Sequence, residues 1–155
     1  YRGKPTTLGA ASGCVAGLVA ITPAAGFVGP ISALIIGLAA GILCYFAIFL
    51  KHILGYDDAL DVVGVHGVGG TFGALATGLF ASKAVNEAGN DGLFFGNPAL
   101  LGTQALAVAV TLVYSFLVTL LILKVLDWTM GLRVDHEEEV AGLDISQHSE
   151  VGYNL

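Results

Sequence analysis

The sequence predicts an all-α protein, a polytopic bundle of membrane helices with four spans. Three observations predict it. Between Pro5 and Leu50 there is no Asp, Glu, Lys or Arg, a run long enough to cross a hydrocarbon layer of roughly 30 Å twice at about 1.5 Å per helical residue. The chain of 155 residues is 55% hydrophobic and only 12% charged, against about 25% charged in a soluble domain, and this excludes a water-soluble monomer. Its 22 glycines are about twice the usual share, which suits helices that pack backbone to backbone in lipid. The chain opens Tyr-Arg-Gly-Lys-Pro, with no initiator Met and no signal-like segment, and reads as a piece of a longer polypeptide.

The first span is expected at residues 8–29, opened by Pro5-Thr6-Thr7, where Pro suits a first helical turn and Thr can cap. Thr22-Pro23 interrupts it and predicts a kink near its far end. Gly29-Pro30 then punctuates the chain, and a second span at 30–50 closes on Lys51-His52. After a polar link comes a third span at 59–82, which contains Asp61, His66 and an unusual run of glycines. Residues 83–97 form a polar loop broken by Leu93-Phe94-Phe95, placed either at headgroup level or packed back on the protein. A fourth span at 98–128 carries no charge until Lys124, and Trp128 fits an interfacial anchor. Residues 1–130 are thus the membrane part and 131–155 a polar tail.

Four spans put the amino end, the link after Lys51 and the tail on one side. Arg2, Lys4, Lys51, Lys124 and Arg133 then share that side with Lys83 alone opposite, and the positive-inside rule makes it the cytoplasmic one. Net charge is −6, a balance that argues against nucleic acid, and most of the acid lies in the tail, at Asp135, Glu137, Glu138, Glu139, Asp144 and Glu150. Cys14 and Cys44 lack any ligand or redox spacing and read as small buried hydrophobes. No metal-binding or nucleophile motif is present, and nothing asks for a cofactor.

His66 is the sharpest feature. An intramembrane ionisable side chain is expensive unless paired, and such residues face a bundle interior or a cavity. The competing reading is a structural histidine bonded to a carbonyl of the next helix; the flanking glycines favour function, because they clear space that a structural histidine does not need. Asp61, five residues earlier, falls about 140° around an α-helix from His66, so the two form no dyad. Asp61 is expected to cap the helix start or attract cations at the inner mouth. Ser12 and Thr22 lie in the first span, where such hydroxyls commonly bond their own i−4 carbonyl. Gly9, Gly13 and Gly17, and likewise Gly37 and Gly41, recur at every fourth position and are expected to be helix contacts, with pore lining as the other reading.

The segment from Asp57 through Asp61 to His66-Gly-Val-Gly-Gly resembles the penultimate-helix signature of the ammonium transporter family. Arg2-Gly-Lys-Pro is similar to the opening of that family's eighth helix, and Gly131-Leu-Arg-Val with Gly142-Leu-Asp-Ile-Ser-Gln-His148 to its carboxy-terminal regulatory region. These matches run in family order over essentially the whole chain and lie closer to the bacterial, plant and fungal branch than to the Rhesus branch. The resemblance implies an eleven-helix protomer in a homotrimer of the plasma or inner membrane, each protomer with its own narrow pore, of which this chain supplies helices eight to eleven and the tail. His66 matches one of two pore histidines, and its partner and the outer binding site belong to the preceding helices.

Ser12 and Thr22 match pore-side hydroxyls of the family. Asp144, Ser146 and His148 fall in the regulatory tail, where Ser146 occupies the position of a phosphorylated Thr in plant relatives. In prokaryotic relatives that inner face docks a trimeric PII-type signal protein. Ser149 stands where the family commonly has glycine, which weighs against a tight turn there. The function implied is passage of ammonium, with methylammonium as its analogue: the ion loses its proton at the outer mouth and ammonia crosses the dry section. Two other readings stand beside it. One is a transporter-like sensor signalling through the tail; the other is a membrane-embedded hydrolase with His66 as base and Ser12 as nucleophile.

Overall fold

The computed structural model describes residues 6–152; Arg2, Lys4, Pro5 and Tyr153, which figure in the charge count, the first cap and the tail, lie outside them. Among the described residues every regular element is helical. Four helices are long and apolar enough to cross a membrane: Thr7–Ala24, Pro30–Leu54, Val63–Phe80 and Pro98–Met130. The chain divides into two compact units, Tyr1–Thr111 and Leu112–Leu155.

In the first unit, helix α1 (Thr7–Ile21) starts on a Thr6 hydroxyl that accepts from the Gly9 N–H at 3.0 Å. It ends where Pro23 removes a donor: α-helical bonding stops at Ile21, and Thr22–Ala24 continue as one tighter turn. The first span therefore closes at Ala24 rather than at 29. Helix α2 (Pro30–Leu54) begins with Pro30 at its first position and runs on to Leu54, so Lys51 and His52 lie in its last turn, where cations suit the dipole. Gly55, at φ 66°, closes it in the left-handed conformation that glycine adopts freely.

The third span is not one α-helix. Val63–Val68 winds as a π-segment, and helix α3 (Gly69–Phe80) follows. The core it shares with α1 and α2 is built of small side chains. Ala20, Ala24, Ile36, Ala40 and Ala76 form one buried cluster, and Ala16, Cys44 and Val65 another. Small residues let the backbones approach, which is how helices associate when lipid competes equally for apolar surface. The glycines responsible belong to the third span. A Cβ on Gly73 would lie 2.1 Å from the Ala20 carbonyl oxygen, and one on Gly78 2.7 Å from Leu101 Cα. By contrast, Cβ atoms on Gly13, Gly17, Gly37 and Gly41 would meet nothing within 4 Å among the described residues, and one on Gly9 would meet only the Thr6 hydroxyl of its own cap.

The loop after α3 folds back on the first hairpin. The Ser82 N–H donates to the Phe27 carbonyl at 2.9 Å, the Gly92 N–H to the Ala81 carbonyl at 2.7 Å, and the Lys83 N–H to the Asp91 carboxylate at 2.8 Å. Leu93–Phe95 forms a single turn whose Phe94 ring stacks at a tilt on Phe80, centroids 5.0 Å apart. Phe94 thus touches the protein through Phe80, while Leu93, Phe94 and Phe95 all stay exposed, Phe94 at 62%. Helix α4 (Pro98–Met130) has no buried residue. Its 33 residues reach about 50 Å, well past a hydrocarbon layer of roughly 30 Å.

In the second unit the tail forms two short helices, α5 (His136–Ala141) and α6 (Leu143–His148). Gln147 Nε2 donates to the Glu138 carboxylate at 2.9 Å, and Arg133 pairs with Glu139 at 3.0 Å. The turn after α6 does form: Ser149 takes φ 54°, and the Glu150 N–H reaches the Asp144 carbonyl at 2.9 Å. Serine, which weighed against the turn, is accommodated because two end-of-helix bonds, this one and Ser149 N–H to the Ile145 carbonyl, close the turn across the strained residue.

Candidate functional site: the π-segment carrying His66

The entrance to the third span is set by three side chains. Lys51 Nζ donates to the Asp58 carbonyl at 2.8 Å and pairs with the Asp61 carboxylate. Both Asp58 carboxylate oxygens accept from the start of the helix, from Val62 N–H and Val63 N–H, each at 2.9 Å. The cap expected of Asp61 is thus made by Asp58. Asp61 itself sits at φ 56°, outside the helix, with its carbonyl accepting from the Val65 N–H at 2.9 Å. A left-handed conformation costs a non-glycine residue about 1–2 kcal/mol, and Asp tolerates it better than most. Here it turns the carboxylate onto Lys51 while the main chain starts the helix.

His66 lies within the π-segment. In such a turn the bonds run i→i+5, and π-turns recur at functional sites. The two residues beneath it, Gly64 and Val65, are buried, whereas His66 and Gly67 are exposed. The imidazole has no hydrogen-bond partner among the described residues, so the structural alternative, a bond to a neighbouring helix carbonyl, is not found in this chain. The α-helical angle between Asp61 and His66 does not apply, since Asp61 precedes the helix and the intervening turn is wide; the two remain unpaired because Asp61 engages Lys51.

A cavity of about 520 Å³ opens between α1, α2 and the start of the third span. Ser12, Cys44, Tyr45, His52 and Asp61 are among the residues on its wall. The structure therefore brings two of the singled-out residues, Ser12 and Asp61, to one cavity, and leaves His66 and Thr22 off its lining. Thr22 is exposed, and its hydroxyl donates to the Leu18 carbonyl at 2.7 Å, the i−4 bond expected of it. In the tail, Ser146 is half-buried, with Oγ donating to the Gly142 carbonyl at 3.0 Å and lying 3.4 Å from the Glu138 carbonyl. Asp144 lies in the first turn of α6 and His148 in its last, each on the side that suits the dipole.

Three roles escaped the reading of the sequence: the cap made by Asp58, and the contacts of Ile48 and Cys44 with the π-segment. Asp58 had a signal, an acid in the polar link just ahead of the third span. Cys44 had none, for nothing in an apolar run marks which residue touches the site.

The model of the Ammonium Transporter Family matches residues 1–153. The ammonium transporter of Bacillus subtilis is 54% identical over 151 residues, covering 97% of this chain and 37% of that protein. Ammonium transporter Amt1 of Archaeoglobus fulgidus is 52% identical over 152 residues, covering 98% of this chain and 38% of that one. The chain thus spans less than two-fifths of the length of these relatives. Among solved structures, Mep2 of Saccharomyces cerevisiae superposes with a TM-score of 0.80 at 38% identity, over 86% of this chain and 31% of that one.

Proposed function

The chain belongs to the ammonium transporter family, and from that membership we propose that it supplies helices eight to eleven and the regulatory tail of an ammonium transporter in which His66 lines the pore. The observation that carries the proposal is the placement of His66: exposed and unpartnered on the π-segment that opens the membrane-length stretch Val63–Phe80, with Gly64 and Gly67 on either side. An imidazole offers one donor and one acceptor nitrogen, which is what a neutral ammonia molecule needs to pass hydrogen-bonded through a dry section. Ammonium itself is costly to strip of water, and a pore that takes its proton at the outer mouth refuses potassium, which has none to lose.

Ser12 and Thr22 are assigned to the same lumen, Ser12 toward the cavity at its Asp61 end. The oligomer in this proposal is a homotrimer in the plasma or inner membrane, with the tail cytoplasmic and, in a prokaryote, a PII-type protein as partner. The family is one of transport rather than catalysis.

The test is His66→Ala in the full-length transporter, purified as a folded trimer and reconstituted. Ammonium and methylammonium flux should fall by an order of magnitude or more. Wild-type flux in that trimer removes His66 from the pore.

A further inference from the structure

Gly64 and Gly69 both press against α2. A Cβ on Gly64 would lie 2.9 Å from Ile48 Cγ1 and 3.2 Å from the Ile48 nitrogen, and one on Gly69 3.1 Å from Cys44 Sγ. Cys44 and Ile48 are four residues apart, hence on one face of α2 in successive turns. The two glycines are five apart. In an α-helix, positions five apart diverge by about 140°, so a third span wound as α-helix throughout cannot set both glycines on one partner. Wound with i→i+5 bonds, it stacks them.

One wide turn of the third span is thereby matched to one turn of α2. The fit is completed by the Cys44 thiol, 2% exposed, whose Sγ lies 3.8 Å from the Val65 carbonyl oxygen it donates to. His66 is the next residue after that carbonyl.

We infer that Cys44, seated against Gly69 and bonded to the Val65 carbonyl, is a positioning residue that holds the wide turn in register and so sets the direction in which His66 points. The inference rests on the reading of His66 as a pore residue. If the turn relaxed to α-helical winding, the side chains before it would rotate by about 100° relative to those after it for each residue absorbed, and His66 would leave its place on the lumen. Ammonium and methylammonium differ in bulk, so a displaced imidazole alters their passage unequally. The ratio of the two fluxes is independent of how many transporters are folded, and a purely structural defect leaves it unchanged.

The experiment measures both fluxes in reconstituted full-length trimers carrying Cys44→Ala, Cys44→Ser, Gly69→Ala, the double variant Cys44→Ala/Gly69→Ala, or His66→Ala. Cys44→Ala and Gly69→Ala should each shift the ratio several-fold. Cys44→Ser, which keeps a donor of similar size, should hold it near wild type. The double variant, whose new methyl takes up the volume the sulfur leaves, should bring it back. An unmoved ratio in both alanine variants, with flux lost in His66→Ala, overturns the positioning role and leaves the pore reading standing; a double variant displaced by the sum of the singles also overturns it. Wild-type flux and ratio in His66→Ala instead overturn the pore reading itself.

Discussion

Gly73 shows what a single hydrogen does in this packing. With a Cβ placed 2.1 Å from the Ala20 carbonyl oxygen, Gly73→Ala cannot be accommodated by a side-chain rotation, because the obstacle is main chain. Overpacking of this kind costs about 1–3 kcal/mol, and the full-length Gly73→Ala transporter should melt several degrees lower than wild type in a detergent thermal shift. An unchanged melting temperature would mean that α1 and α3 separate freely. The sequence displays Gly73 no more prominently than Gly13 or Gly41, since a glycine spaced for contact does not say whether its partner lies in the same stretch of chain. The acids divide similarly. Asp58 and Asp61 both stand before the helix, and only the left-handed turn at Asp61 decides that one caps it and the other meets Lys51. Asp58→Ala should accordingly loosen the start of the third span more than Asp61→Asn does, read as faster amide exchange at Val62 and Val63; equal exchange in the two variants contradicts the division.

Elements were easier to read than their winding. Long apolar runs with few charges, bounded by Gly, Pro and Lys, place four spans, because crossing a bilayer demands length and apolarity, and both are compositional. The π-segment was not legible. In a stretch apolar on every side, no polar stripe reveals whether the repeat is nearer four residues or five, and the difference is made by contacts from α2. The end of α6 shows the reverse: a local rule was legible but outweighed. Serine disfavours the left-handed conformation by about 1–2 kcal/mol, yet the Glu150–Asp144 and Ser149–Ile145 bonds hold Ser149 at φ 54°. Ser149→Gly should therefore stabilise α6. Relief of the strain less the added chain entropy of glycine leaves on the order of 1 kcal/mol, visible as slower amide exchange across residues 146–150. Faster exchange there would show that the serine makes a contact worth more than the strain.

At the scale of the molecule the tail poses the last question, and its internal bonds narrow the answer. A merely solvated acidic end would be expected to stay extended, whereas residues 133–150 carry cross-connections of their own: Arg133 to Glu139, Gln147 to Glu138, and Ser146 to the Gly142 carbonyl. These fold the two short helices into a preformed unit. Its larger apolar side chains, Val140, Leu143 and Ile145, are 74%, 47% and 55% exposed, apolar surface of the kind that a protein partner can cover. In the proposed transporter, with the tail on the cytoplasmic side, such a unit is expected to regulate the pore and not to be needed for its assembly. Deletion of residues 134–155 from the full-length transporter should lower or deregulate ammonium flux while gel filtration still returns the trimer, and Leu143→Ser/Ile145→Ser, which keeps the length and charge of the tail, should reproduce much of the loss. If flux in the truncated trimer matches wild type, with and without a PII-type protein, the tail is a passive appendage; if the double serine variant alone is silent, the deletion acts through charge and length and the exposed apolar side chains dock nothing.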